Sequence, residues 1–294
     1  MDNIVEVTGG PGGSAFLVMG REKTALLDCG MAYCAPKLFE NLSKVLKNRM
    51  LDYLFISHSH YDHIGAIPYI KTKWPNAKLL GAEHARKILT RPTALATIRT
   101  LGREAANCYG ADDIDDYEDK LLQVDECIGD GDTFELGGVS IDVVRTTGHT
   151  QCSLSFLINK NTLFASESTG CMSRSGKIYP AFITSSAEAL QSIAICQQLQ
   201  PAVIISPHYG FVSHIEVPAY WDNCRAAIKE TRDFIIAEAD CGYEEEQILL
   251  AYEQRFRDEQ SRVEQPLAAF QLNTRFMIKT VLKESGRQKI DEAG

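Results

Sequence analysis

The chain has 294 residues, of which 39 are acidic and 30 basic, and its formal net charge is −9. This charge argues against a general nucleic-acid binder and against an anionic membrane surface as a partner, because both would need a basic face. Apolar residues make up 45% of the chain, enough for one large globular domain or two small ones.

We therefore expect a small-molecule substrate, with no nucleic acid and no membrane as partners, and the sequence also allows a homodimer. The N-terminal residues show no basic stretch followed by an apolar one, so no signal peptide is predicted. Nine cysteines are scattered without C-x-x-C pairs, a pattern typical of reduced thiols. We expect a cytoplasmic location.

The first 30 residues read as strands and turns, and a helix, a further strand and a second helix follow. The cluster Gly9-Gly10-Pro11-Gly12-Gly13 predicts a turn, and it lacks the lysine and hydroxyl residue of a phosphate-binding loop. Apolar runs predict strands at 4–7, 15–19, 24–28 and 51–56, and the patterns at 36–47 and 66–73 predict helices.

A dense group of ligand-type residues follows the strand at 51–56. His58-Ser59-His60-Tyr61-Asp62-His63 places three imidazoles and one carboxylate in six positions, although the whole chain has only seven histidines. An extended backbone points His58 and His60 to the same side. Unpaired imidazoles and carboxylates crowded this closely are costly to bury, and a transition-metal cation removes that cost. The segment predicts a metal site.

The remaining elements alternate strands and helices and end in a helical tail. An acidic run at 112–119 predicts a solvated helix start. Further strands are predicted at 77–80, 133–136, 139–145, 153–158, 162–165 and 202–206, and further helices at 83–108 with a break near Pro92, at 185–199, and at 217–283 with interruptions at Gly242 and Pro266.

Three more candidate ligands each follow a predicted strand: His149, Glu167 and His208. Because strand ends collect at one edge of a sheet, we expect them to lie near the first group. His84 and His214 are interpreted as structural or exposed. The predicted metal ligands are His58, His60, Asp62, His63, His149, Glu167 and His208.

These segments resemble the metallo-β-lactamase superfamily. Its H-x-H-x-D-H signature is matched in full from His58, the T-G-H-T segment at His149, the terminal histidine at His208 and the early Asp-x-Gly strand end at Asp28. The resemblance covers residues 1–214 and implies an α+β fold, a four-layer αββα sandwich. It also implies one ion held by His58, His60 and His149, and a second held by Asp62, His63 and His208.

The chain departs from the family at Glu167, where relatives carry a bridging aspartate. The extra methylene implies that this carboxylate sits differently or binds one ion only, and Glu167→Asp would then restore a more typical bridged pair. We expect two divalent metal ions as cofactors, zinc first, with iron or manganese as alternatives.

The layout outside the core is similar to that of quinolone-signal response thioesterases. We expect a catalytic domain at 1–214 with a helical insertion near 83–120, and C-terminal helices at 215–294 packing on or over the active site. The resemblance implies a hydrolase that cleaves a small acyl ester, thioester or lactone with a metal-activated hydroxide. Asp62 is the predicted catalytic residue, because it could orient the nucleophile or accept its proton.

Two other functions remain open on the same fold. One is hydrolysis of a small phosphodiester, which the same ions can perform. The other is a non-catalytic ligand-binding or regulatory protein. Tyr61 and Tyr209 adjoin ligands, and packing is the preferred interpretation of both over donation to an oxyanion.

Overall fold

A computed structural model describes residues 3–111 and 116–287. The first sheet has the strand order β1-β2-β3-β4-β5-β6. Strands β1 and β2 pair antiparallel with their neighbours, and β3 to β6 run parallel. Its strands are β1 (Ile4–Glu6), β2 (Phe16–Met19), β3 (Thr24–Leu27), β4 (Tyr53–Phe55), β5 (Lys78–Gly81) and β6 (Glu126–Cys127).

The second sheet has the order β14-β13-β10-β9-β8-β7, and all its pairs are antiparallel except β10 with β13. Positive φ angles of 51° at Asn159 and 56° at Lys160 form the predicted turn between β9 and β10. Strands β11 and β12 form a separate hairpin. These strands are β7 (Thr133–Glu135), β8 (Ser140–Arg145), β9 (Leu154–Ile158), β10 (Thr162–Phe164), β11 (Cys171–Met172), β12 (Ile178–Tyr179), β13 (Val203–Ser206) and β14 (Gly210–Val212).

The helices lie close to their predicted positions. Pro92 begins α5, which explains the break seen in the sequence, and Ser185 caps α6 by accepting the Glu188 N–H. The helices are α1 (Ala35–Leu46), α2 (Tyr61–Ile64), α3 (Ile67–Lys73), α4 (Glu83–Ile88), α5 (Pro92–Cys108), α6 (Ser186–Gln198), α7 (Val217–Asp240), α8 (Glu245–Phe256), α9 (Glu259–Glu264) and α10 (Leu267–Glu284).

The acidic run is only partly covered. Residues 112–115 lie outside the described residues, and the run continues as extended backbone at Glu118 and a 3₁₀ turn at Asp119–Leu122. Two other 3₁₀ turns, Ala32–Cys34 and Glu167–Thr169, lie near the predicted ligands.

Buried apolar side chains form three packing layers, one between the two sheets and one on the outer face of each sheet. Between the sheets, the ring centroids of Phe55 and Phe156 are 5.3 Å apart, and those of Phe16 and Phe164 are 5.9 Å apart. Leu38 and Ile70 belong to a cluster outside the first sheet, whereas Ile193 and Ile228 belong to one outside the second. The molecule is thus the expected α+β sandwich of two sheets flanked by helices.

The C-terminal helices extend the outer cluster of the second sheet. Leu163 and Ile193 belong to the same buried cluster as Leu249, Tyr252 and Ile278 of α8 and α10. The structure therefore includes the expected C-terminal helical region, and the proposed boundary at residue 214 stays a prediction. Within residues 3–111 and 116–287, no helix combines the length and hydropathy needed to cross a bilayer.

Candidate metal centre

Three histidines that follow strands of the two sheets converge at one edge of the sandwich. His58 and His60 follow β4, and His149 follows β8. His149 Nε2 lies 3.2 Å from His58 Nε2 and 3.0 Å from His60 Nδ1. His58 and His149 are fully buried. These three nitrogens converge closely enough to hold one metal ion.

A second group lies beside the first. It contains Asp62 and His63 of α2, together with Glu167 and His208, and its ligand atoms lie within 4.8 Å of one another. Asp62 Oδ2 is 3.8 Å from His63 Nε2 and 3.6 Å from His208 Nε2. His208 is the most exposed of the four, with 25% of its side chain accessible. This group could hold a second ion.

Glu167 faces both groups at once. Its Oε2 is 3.0 Å from His149 Nε2, whereas its Oε1 is 2.8 Å from His63 Nε2 and 2.6 Å from His208 Nε2. The carboxylate is buried in the 3₁₀ turn that begins at this residue. The two oxygens are therefore divided between the groups, and the extra methylene does not confine the carboxylate to one of them.

Asp28 fixes the direction of two imidazoles. Its Oδ2 accepts the His63 Nδ1–H at 2.7 Å, and its carboxylate also accepts the Ser57 N–H and hydroxyl, both at 2.7 Å. Because the Ser57 hydroxyl donates to Asp28, its oxygen is free to accept the His58 Nδ1–H at 3.0 Å. With Nδ1 engaged in this way, each imidazole turns its Nε2 towards the other candidate ligands.

His149 is oriented by the backbone of another element. Its Nδ1–H donates to the Ala181 carbonyl, and its backbone N–H donates to Ser168 Oγ at 3.0 Å. Gly148 lies so close to α6 that a Cβ there would be 2.5 Å from the Ala189 nitrogen. Positive φ angles at Asp28 (51°) and His208 (61°) are further signs of a constrained backbone around the centre.

Burial decides the protonation of His58 and His60. Burial and the neighbouring imidazoles lower the pKa of His58 well below its usual value, and burial with His149 lowers that of His60 to about 3. Burial also opposes charge on His63, but Asp62 and Asp28 together raise its pKa. Burial disfavours a charged Glu167 as well, and the surrounding histidines still hold its pKa well below the usual range. His58 and His60 are thus neutral at neutral pH, as a metal ligand must be.

Comparison with known proteins gives the family. The profile described as the metallo-beta-lactamase superfamily matches residues 8–208, more than half of the chain. The chain belongs to the metallo-beta-lactamase superfamily.

Relatives within the superfamily are distant. The metallo-beta-lactamase fold-containing protein ST1585 of Sulfurisphaera tokodaii is 25% identical over 206 residues, which are 68% of this chain and 74% of that one. Its crystal structure superposes with a TM-score of 0.59 at 22% identity, covering 78% of this chain and 86% of that one. The metallo-beta-lactamase family protein TTHA1429 of Thermus thermophilus superposes with a TM-score of 0.67 at 16% identity, over 97% of this chain and 95% of that one.

A named enzyme is also similar over part of its length. A hydroxyacylglutathione hydrolase of Xylella fastidiosa is 27% identical over 146 residues, which are 48% of this chain and 41% of that protein. The similarity of this metallo-beta-lactamase superfamily chain to it therefore covers less than half of either protein.

The residues present fit a divalent transition metal. Two nitrogens bound to one tetrahedral zinc ion at 2.0–2.1 Å lie about 3.3 Å apart. The nitrogen separations of 3.0 and 3.2 Å around His149 are close to that value. Imidazole with carboxylate suits zinc, iron and manganese, so the donor set selects a class of ion rather than one element.

The other residues singled out in the sequence lie outside both groups. His84 is half-buried in α4 and His214 is exposed, as predicted. Tyr61 packs near Tyr109, and Tyr209 packs against the outer cluster of the second sheet. The glycine cluster approaches the centre, because a Cβ at Gly13 would lie 2.5 Å from the Asp62 carbonyl oxygen.

Sequence reasoning missed the groups that orient the imidazoles. Asp28 was noted only as part of a strand-end match, and its position at the end of a buried strand beside the motif was the available signal. Ser57 adjoins the first ligand and carried no signal of its own. The carbonyl of Ala181 had none either, because any residue offers the same backbone acceptor.

Proposed function

We propose that this chain is a metal-dependent hydrolase that cleaves a small acyl ester, thioester or lactone. The observation that supports it best is the division of the Glu167 carboxylate, with one oxygen 3.0 Å from His149 and the other 2.6 Å from His208. A buried carboxylate shared by two imidazole groups suits a pair of ions. We propose His58, His60 and His149 for one ion, Asp62, His63 and His208 for the other, and Glu167 between them.

The chain's own residues would prepare the reaction. When bound, a pair of divalent ions lowers the pKa of water towards neutrality and polarises the oxygen under attack. Asp62 would orient the nucleophile and take up its proton, since its Oδ2 faces His63 and His208 of the second group. Tyr61 stays protonated at neutral pH, because burial and the charge of Asp62 raise its pKa, so its hydroxyl can only donate.

The substrate class is supported by chemistry and by one relative. Neutral imidazoles with carboxylates serve hydrolysis without a serine or cysteine nucleophile. The relative named hydroxyacylglutathione hydrolase favours a thioester within the proposed class. Zinc is our proposed ion, with iron or manganese as alternatives.

The test combines metal analysis with a substrate panel. Purified protein is analysed for metals, then assayed on a p-nitrophenyl ester, an acyl thioester, a lactone and bis-p-nitrophenyl phosphate. We expect bound divalent ions and turnover of the carboxylic substrates. Turnover confined to the phosphodiester would instead support the alternative reaction, and bound metal without any turnover would support a ligand-binding role.

A pair of histidine variants supplies the matched control. His60→Ala removes a proposed ligand, whereas His214→Ala makes the same chemical change at an exposed position. We expect His60→Ala to lose metal and at least about 100-fold in kcat/KM, while His214→Ala behaves as the parent. Equal metal content and activity in both variants would rule out the proposed centre.

We propose a small-molecule substrate, a cytoplasmic location, and no nucleic-acid or membrane partner, on the basis of the acidic charge and the scattered thiols. The homodimer is tested by light scattering during size-exclusion chromatography.

A further inference from the structure

The hairpin of β11 and β12 is attached to the candidate metal centre at both ends. The turn Glu167–Thr169 leads directly into β11. After β12, the carbonyl of Ala181 accepts the Nδ1–H of His149. The hairpin is therefore continuous with one candidate ligand, and the segment just after it holds another in place.

Residues 258–266, which we call the strap, are bound to this hairpin. Asp258 accepts the Tyr179 hydroxyl at 2.7 Å and Lys177 Nζ at 2.9 Å. At the other end of the strap, Glu264 Oε1 accepts the backbone N–H of Arg174 at 3.0 Å. The strap contains α9, which Asp258 also caps by accepting the Ser261 N–H. Both ends of α9 are thus held against the hairpin.

The strap also reaches the other half of the molecule. The carbonyl of Glu264 accepts the Tyr109 hydroxyl at 2.9 Å. Tyr109 follows α5, its ring centroid is 6.0 Å from that of Tyr33, and it packs in the same cluster as Tyr61, the neighbour of Asp62. A Cβ at Gly12 would lie 3.0 Å from the Tyr109 ring, so the glycine cluster closes against it as well.

Glu264 therefore joins the two halves that carry the candidate ligands. Its carbonyl is bound to the side of His58, His60, Asp62 and His63, and its carboxylate to the side of Glu167 and His149. We propose that the strap closes one side of the centre and limits the substrate to a short acyl group, with Tyr109 as a specificity-determining residue. This inference rests on the proposed function.

The physical reason is that a longer acyl chain directed towards Tyr109 would meet the strap, which Glu264 binds to Tyr109 and Arg174. It would have to separate Glu264 from Tyr109 or from Arg174, and so expose polar groups that are now paired. A short acyl group leaves these bonds intact. Replacing Tyr109 by phenylalanine removes only the hydroxyl and breaks the bond that joins the strap to the first half of the molecule, whereas the bond between Glu264 and Arg174 remains.

Labelling of the Cys171 thiol measures whether the strap covers the candidate metal centre, and this measurement needs neither metal nor substrate. It opens the hairpin, is half-buried, and lies close enough to Glu167 and Asp62 for burial and their charges to raise its pKa. The rate of its labelling by N-ethylmaleimide is followed by peptide mass spectrometry, with exposed Cys241 as the internal reference. The variants are Tyr109→Phe and, as a matched control, Tyr252→Phe, which loses a hydroxyl contact to Thr231 of α7 rather than to the strap.

Freeing the strap should speed Cys171 labelling about three- to tenfold in Tyr109→Phe and leave Tyr252→Phe at the parent rate. A second measurement compares kcat/KM for p-nitrophenyl acetate and octanoate. The octanoate-to-acetate ratio should rise about tenfold in Tyr109→Phe only, which a purely structural loss of stability would not produce.

Equal labelling and an equal length ratio in the two variants would overturn the inference. A parent protein that labels Cys171 as fast as Cys241 would also overturn it, because the centre would then be open. If the parent cleaves no ester or thioester, the proposed function and the acyl-length limit fail together. The labelling rates still decide whether the strap covers the centre.

Discussion

Glu167 Oε2 lies 3.0 Å from His149 Nε2, across the boundary between the two ligand groups. The other oxygen of the same carboxylate is already engaged by His63 and His208. The reach of a glutamate is what allows both contacts from the 3₁₀ turn in which the residue lies. The position of the backbone turn therefore compensates for the longer side chain that Glu167 has in place of the family's aspartate.

Shortening this side chain should weaken the binding of the proposed pair of ions. Glu167→Asp withdraws the carboxylate by one methylene, so one of its oxygens no longer reaches its group, and the geometry favours the opposite of the restoration expected from sequence. We expect the metal content to fall from about two ions per chain to about one. Elemental analysis after dialysis measures it, with Glu167→Gln as the variant that keeps the length and removes the charge. Two ions retained in Glu167→Asp would mean that the backbone adjusts.

Removing the acceptor behind His63 should reduce metal affinity. Asp28→Asn takes away the charge that accepts the His63 Nδ1–H and both donors of Ser57. A loss of about 10- to 100-fold in metal affinity is expected, measured by competition with a chromogenic chelator. Asp52→Asn is the matched control, because Asp52 accepts the Thr24 N–H away from the centre. Equal affinity in the two variants would contradict the orienting role of Asp28.

Metal removal should lower the stability of the fold. Ions that bind only the folded chain stabilise it by about 4 kcal/mol when their free concentration is about 1,000 times the dissociation constant. We expect the Tm to fall on chelation, together with any hydrolytic activity, and to recover when zinc is added back. In His149→Ala the response to chelator should largely vanish, since that residue faces both groups. A parent protein whose Tm ignores the chelator would contradict this prediction.

Acid should release the end of α10 from α6. Glu284 accepts hydrogen bonds from the Ser185 hydroxyl and from the backbone and hydroxyl of Ser186. Burial opposes its charge, but these bonds lower the pKa of Glu284. A carboxyl group with a lowered pKa stabilises the fold above its unfolded pKa of about 4.3, and this contribution disappears as pH falls through the folded pKa.

Urea unfolding of Glu284→Gln measures that contribution. At pH 7 the variant should be less stable by about 1 kcal/mol or less, because the carboxylate is partly exposed to solvent. The difference should shrink below about pH 4. Glu135→Gln, on an exposed edge of β7, provides the matched control. A difference that stays constant down to pH 3 would show that the charge of Glu284 is not involved.

The resemblance to the family implied the sandwich, and clear apolar runs predicted most of its strands and the candidate ligands that follow them. The run 202–206 corresponds to β13, and His208 follows it directly. The sequence could not give β14, because three residues that begin with glycine carry no periodicity. Asp62 and His63 lie in the single helical turn α2, which is too short to give a recognisable pattern in the sequence.

The division of the Glu167 carboxylate was also beyond the sequence. It depends on where the backbone turn at Glu167 lies, because a displacement smaller than one methylene group would move the carboxylate away from one group of ligands. Residue identity alone does not set that position. The sequence also could not predict that Glu264 bonds to both halves of the molecule. Its partners are the hydroxyl of Tyr109 and a backbone N–H, separated from it by 155 and 90 positions.

His58, His60, Asp62 and His63 come from the first half of the sandwich, and His149, Glu167 and His208 from the second. An ion bound by residues of both halves would hold the two sheets together, because neither half could retain it alone. The affinity for the cation and the stability of the packing between the two sheets would then be coupled. A substitution that separates the sheets should therefore first lower the metal content of the protein.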